Sequence, residues 1–135
     1  MLGENIGEEK GKITGIRVLS SEGRGHKIEA SFQATGTLLG IEGTNTGTYS
    51  SIMTPSGNLR GEGQGVYMSK DGQTAEWNAT GLGKPTGKGM AANYRGLLLW
   101  QTNSPKFDRL NNVAVVFEYE TDENGNVHDK IWEWK

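Results

Sequence analysis

The chain has 135 residues, of which 21 are glycine, about twice the ~7% share of an ordinary protein. With only 3 prolines beside them, glycine and proline together stay below the roughly 25–30% of low-complexity disorder, and no Gly-X-Y period marks a collagen. A net charge of −2 gives no electrostatic footprint for nucleic acid or an anionic membrane surface, and the absence of cysteine excludes disulfides and thiolate chemistry.

The length fits a single domain spanning residues 1–135. The opening Met1-Leu2-Gly3-Glu4-Asn5 lacks the basic and apolar regions of a secretory signal, and no apolar run approaches the ~18 residues of a membrane span. The expectation is a cytoplasmic protein.

In chain order, segments rich in Thr, Val, Ile, Tyr and Trp predict eight strands: Lys12–Ser20, His26–Thr35, Thr44–Thr54, Leu59–Lys70, Gln73–Leu82, Gly89–Gln101, Asn112–Asp122 and Asn126–Trp134. Gly-containing turn signals separate them at Ser21–Gly25, Pro55–Asn58, Asp71-Gly72, Gly83–Lys88 and Asn124-Gly125. Pro105 and the residues after it allow one helical turn within Ser104–Asn111. Consecutive hairpins leave two exposed sheet edges unless the sheet closes, so the pattern predicts an all-β, eight-stranded antiparallel up-and-down barrel.

Reading Asp71-Gly72 as a two-residue hairpin loop sets Met68, Val66, Gln64 and Glu62 opposite Ala75, Trp77, Ala79 and Gly81 on the inward face. A loop at Ser56-Gly57 adds Tyr49, Ser51 and Met53 to that face, and one at Asn124-Gly125 turns Val115, Phe117 and Tyr119 inward with Lys130, Trp132 and Trp134. Gly61, Gly63 and Gly65 then lie outside, where barrel curvature or a packed partner subunit would account for them. Met90, Ala92, Tyr94, Gly96, Leu98 and Trp100 make the inward face of the sixth strand. Its other face carries Leu97 and Leu99, an apolar patch that points to a homo-oligomer.

Several motif-like patterns fail. Gly83-Lys84-Pro85-Thr86-Gly87-Lys88-Gly89 has the wrong glycine spacing and no following helix for a phosphate loop. Asp122-Glu123-Asn124-Gly125-Asn126 misplaces the glycine of a calcium loop. His26 and His128 lie on different hairpins, so no metal site and no cofactor site is assigned. Glu62 remains. A carboxylate in an apolar lumen must be paired, hydrogen-bonded or functional, so it is either a structural partner of Arg60 or Arg95, with Gln64 bonded to Tyr49, or a general base and polar anchor, unless a register slip turns it to the outside.

The stretches Gly61-Glu62-Gly63-Gln64-Gly65-Val66, Asn93-Tyr94-Arg95-Gly96, Leu110-Asn111-Asn112-Val113-Ala114, Phe117-Glu118-Tyr119-Glu120 and Ile131-Trp132-Glu133-Trp134-Lys135 resemble a bacterial family of uncharacterised small proteins with an allene oxide cyclase-like, lipocalin-like barrel. The resemblance implies the eight-stranded barrel, and an oligomer such as allene oxide cyclases form. Those cyclases steer an oxygenated fatty acid in the barrel with a bound water and a Glu; here that chemistry rests on fold analogy alone.

The combined expectation is a lumen that binds a small, partly apolar molecule through Tyr49, Ser51, Glu62, Gln64 and Trp77, with or without isomerase chemistry at Glu62 as the catalytic residue. The alternative is a solidly packed, non-catalytic barrel that acts through oligomer or protein-partner contacts.

Overall fold

A computed structural model of the chain describes residues 1–22 and 25–135. Among these, eight strands pair in sequence order and close: β1 Leu2–Ser20, β2 Lys27–Leu38, β3 Ile41–Met53, β4 Leu59–Ser69, β5 Thr74–Pro85, β6 Ala92–Gln101, β7 Ala114–Thr121 and β8 Asn126–Trp134. Every pairing is antiparallel, and the ring is completed by β1 against β8, from Leu2↔Trp134 to Lys12↔Asn126. The eight-stranded antiparallel barrel is therefore the fold. The turn expected over Ser21–Gly25 falls partly outside the described residues. No described helix is long and apolar enough to cross a membrane.

The first strand begins ten residues before its expected start. Asn5–Gly11 carries Glu8, Glu9 and Lys10 among glycines and shows no apolar alternation, yet Ile6 and Glu9 are buried and Glu8 and Lys10 exposed. A lumen-facing carboxylate breaks the pattern by which strands are recognised.

Three hairpins share one loop, and it is a residue longer than expected. The Gly57 N–H donates to the Thr54 carbonyl at 2.9 Å, Gly72 to Ser69 at 3.0 Å and Gly125 to Asp122 at 3.2 Å. In each, the N–H of the residue before the loop, Thr54, Ser69 or Asp122, bonds the carbonyl of the residue directly opposite, Asn58, Gln73 or Asn126. This is a type I turn followed by a left-handed glycine, with φ of +86°, +88° and +79°.

The extra residue reverses two strands. Tyr67 faces Ala75, Gly65 faces Trp77, and Gly63 faces Ala79, so Gly61, Gly63, Gly65 and Tyr67 point inward on β4. Glu62, Gln64, Val66 and Met68 point out, which corrects the expected inward face. On β8, Val127, Asp129, Ile131 and Glu133 turn in, while Lys130, Trp132 and Trp134 turn out. The expected faces of β3, β5 and β7 hold, and so does that of β6 except at Met90, which precedes the strand and is exposed.

The inward glycines make room for rings. A Cβ at Gly65 would lie 2.4 Å from Trp77 Cζ2, and one at Gly47 would lie 2.6 Å from the same atom. A Cβ at Gly83 would lie 2.5 Å from the Tyr94 ring, and one at Gly81 would lie 2.9 Å from Phe117 Cζ. Both outer-face explanations for the β4 glycines thus give way to a third, in which a few large aromatics fill the lumen over bare backbone.

The 3-10 helix Pro105–Asn112, the single helical turn expected near Ser104–Asn111, plugs one end of the barrel. Phe107 and Leu110 are fully buried, and Phe107 meets Tyr67 edge-on at 5.9 Å. Arg109 Nε lies 2.6 Å from buried Glu133, Lys106 pairs with Asp71, and the Ser104 hydroxyl donates to Gln73 at 2.6 Å.

Candidate functional site

The lumen retains a cavity of about 70 Å3, which is room for two or so waters at roughly 30 Å3 each. Its wall combines the thin glycine backbone of β4 and β5 with aromatic rings, and one polar group stands out. Glu9 on β1 and Asp129 on β8 are direct cross-strand neighbours on the inner face. Their carboxyls are close enough to share a hydrogen bond when one of them is protonated.

A relay fixes Glu9. Trp77 Nε1 donates to Asn45 Oδ1 at 2.8 Å, and Asn45 Nδ2 donates to Glu9 Oε1 at 2.6 Å. Because Asn45 offers Glu9 a donor, Glu9 is the better placed carboxylate and Asp129 the better placed proton donor. Burial pushes Glu9 up to about 7 against the bonds from Asn45 and Asp129. Burial, and then the charge and hydrogen bond of Glu9, drive Asp129 well above the usual carboxylate range. The two titrate as one unit that holds a proton at neutral pH. Asp129 sits inside the barrel and is only half-buried, so the surface it keeps is cavity wall.

Beyond the pair lies a tyrosine cluster. Asp129 is register partner to Tyr119, and Tyr119 to Tyr94. The Tyr119 hydroxyl donates to that of Tyr49 at 3.2 Å, and Ser51 and Tyr94 hydroxyls lie 2.8 Å apart. Phe32 joins these rings to Trp77, with centroids 6.1 Å from Tyr49 and 6.3 Å from Trp77. Burial raises the pKa of Tyr49, Tyr94 and Tyr119, so all three hydroxyls stay neutral. Trp100 lines the same cavity, 8% exposed, and its Nε1–H has no acceptor among the described residues.

Of the residues expected at the site, Tyr49, Ser51 and Trp77 are brought together in the lumen. Glu62 and Gln64 are not. The backbone at Glu62 belongs to the lumen wall, but its side chain is exposed in a shallow outer depression beside Ser50, Arg60 and Thr80. A one-residue register shift moves every side chain of a strand to the other face, and the loop at Gly72 supplies that shift. The loop at Gly125 brings Asp129 in by the same mechanism. Glu9 had a readable signal in Gly7-Glu8-Glu9-Lys10-Gly11, where it falls on the same face as the two glycines that flank it. Among the described residues, no group of three or more Asp, Glu and His is placed to hold a metal ion.

No family model and no curated protein matches the chain. Solved structures do match it over nearly full length. A protein with unknown function from Clostridium acetobutylicum superposes with a TM-score of 0.83 at 15% identity, covering 98% of each chain. A β-barrel-like protein from Acinetobacter baumannii gives 0.81 at 13% identity over 100% of this chain and 96% of its own. A conserved protein of unknown function from Rhodopseudomonas palustris gives 0.80 at 15% identity over 99% of both. At these identities the likeness shows the fold alone, and two of these three proteins are themselves of unknown function.

Proposed function

We propose that the barrel binds a compact, partly apolar molecule in its lumen, oriented by the Glu9–Asp129 pair, which is also able to exchange a proton with it. The observation that carries this reading is the pair itself. Two adjacent buried carboxyls cost stability and contribute nothing to packing, and these are held by a relay and open onto a cavity. Perturbed carboxyls of this kind are a hallmark of acid–base sites. The resemblance to allene oxide cyclase-like barrels supports isomerase or cyclase chemistry as the form such proton exchange takes, with the acid on β1 and β8 instead of at Glu62.

Thermal denaturation with a panel of compact apolar molecules tests the reading, since a ligand that prefers the folded state raises Tm with its concentration. The expected result is a shift for some panel members that Glu9→Gln removes and Glu62→Gln keeps. A shift lost in Glu62→Gln and kept in Glu9→Gln returns the site to β4.

Two observations favour the second reading, a packed barrel working through its outer surface. The cavity is about half the ~150 Å3 that accepts benzene, and Leu97, Leu99, Val116 and Trp134 form an apolar outer face. A stable assembly in sedimentation, with no panel molecule moving Tm, selects that reading.

A further inference from the structure

We propose that the occupant of the lumen is a small organic ammonium, its nitrogen set against the Glu9–Asp129 carboxyls and its alkyl part against Phe32, Tyr49 and Trp77. The inference rests on the reading of the lumen as a binding site and adds the charge of what it binds.

The first argument is the sign of the site. No Lys, Arg or His lines this cavity among the described residues, and the cations of the flanking strands face outward. His128 Nε2 lies 2.7 Å from Glu8 on the outer face, and Lys10 is exposed. An anionic guest would therefore meet two carboxyls and no countercharge. Asn45 offers the pair one neutral donor, at Glu9 Oε1, and leaves the other carboxyl oxygens to each other and to an occupant. A neutral guest gains a hydrogen bond there, whereas a cation gains the Coulomb attraction in a water-poor site as well.

The second argument is the wall. Rings carry negative charge on their faces and attract ammonium groups, most strongly when both are desolvated. Phe32, Tyr49 and Trp77 line the cavity beside the carboxyls. The third argument is size. A cavity of about 70 Å3 suits a guest of three or four non-hydrogen atoms, well below benzene.

The test compares three probes of four non-hydrogen atoms each: isopropylammonium, isopropanol and acetate. Each is titrated into the 15N-labelled protein at about pH 8, where the pair carries negative charge, with the indole N–H resonances of Trp77 and Trp100 as readout. The expected result is isopropylammonium binding about tenfold more tightly than isopropanol, with acetate silent. The double variant Glu9→Gln/Asp129→Asn is expected to bring the ammonium down to the level of isopropanol. Equal binding of isopropanol and the ammonium to the wild-type protein, or preference for acetate, overturns the charge assignment and leaves the lumen as a binding site. Indole resonances unmoved by all three probes overturn both. The ranking on the wild-type protein decides the matter even where the double variant does not fold.

Discussion

At position 65 the missing side chain is a space that Trp77 occupies, and the same ring lies over Gly47. Adding a methyl there must displace an indole held by a hydrogen bond to Asn45, which in turn holds Glu9. Gly65→Ala is expected to destabilise by about 1–3 kcal/mol as an overpacked core does. Gly15, with nothing within 4 Å of its Cβ position and no positive φ, supplies the control, since Gly15→Ala is expected to stay within about 0.5 kcal/mol of wild type. Urea midpoints measure both, and equal effects at the two positions would remove the packing role assigned to Gly65. The high glycine content is thus partly a count of ring-sized spaces, which composition cannot distinguish from turns.

Among the elements, the hairpin loops decided what was legible. Strand number, order and closure, and the inward faces of β3, β5, β6 and β7 from Ala92 on, followed from alternation and turn residues. The faces of β4 and β8 did not, because Asp71-Gly72 and Asn124-Gly125 look like two-residue loops while the chain uses three. A local signal was present. Thr54, Ser69 and Asp122 stand three residues ahead of the glycines, where a type I turn favours a side chain that accepts from the loop backbone; Asp122 Oδ1 accepts from Asn124 and Asn126 at 2.9 and 2.8 Å. One residue per loop exchanged Glu62 for Asp129 as the lumen carboxylate. The 3-10 helix was legible as an element but its role was not, since plugging depends on Tyr67 facing inward to meet Phe107. Phe107→Ala is expected to cost about 3–5 kcal/mol. Calorimetry measures it, and a loss below 1 kcal/mol would show that the helix merely rests on the barrel end.

For the whole molecule, the pair on β1 and β8 sets an unusual dependence on acidity. Most shifted carboxyls here are lowered by their partners, Glu42 by Lys70, Asp71 by Lys106 and Glu133 by Arg109, and their contribution is lost as pH falls. Glu9 runs the other way. With its folded value raised to about 7 from the ordinary 4.5, the folded state keeps a proton that the unfolded chain has released, so stability falls as pH rises between those values. Denaturant melts from pH 4.5 to 7 are expected to show that decline, and Glu9→Gln to flatten it; an unchanged slope in the variant would assign the decline elsewhere. Seven ladders of the barrel join neighbours in the chain, and the eighth joins β1 to β8 across almost its whole length. Closing that ladder carries the largest loop-closure entropy, because its partners are the most distant in sequence. The two carboxyls meet on this ladder, so the proton they share lies on the seam along which the ring closes.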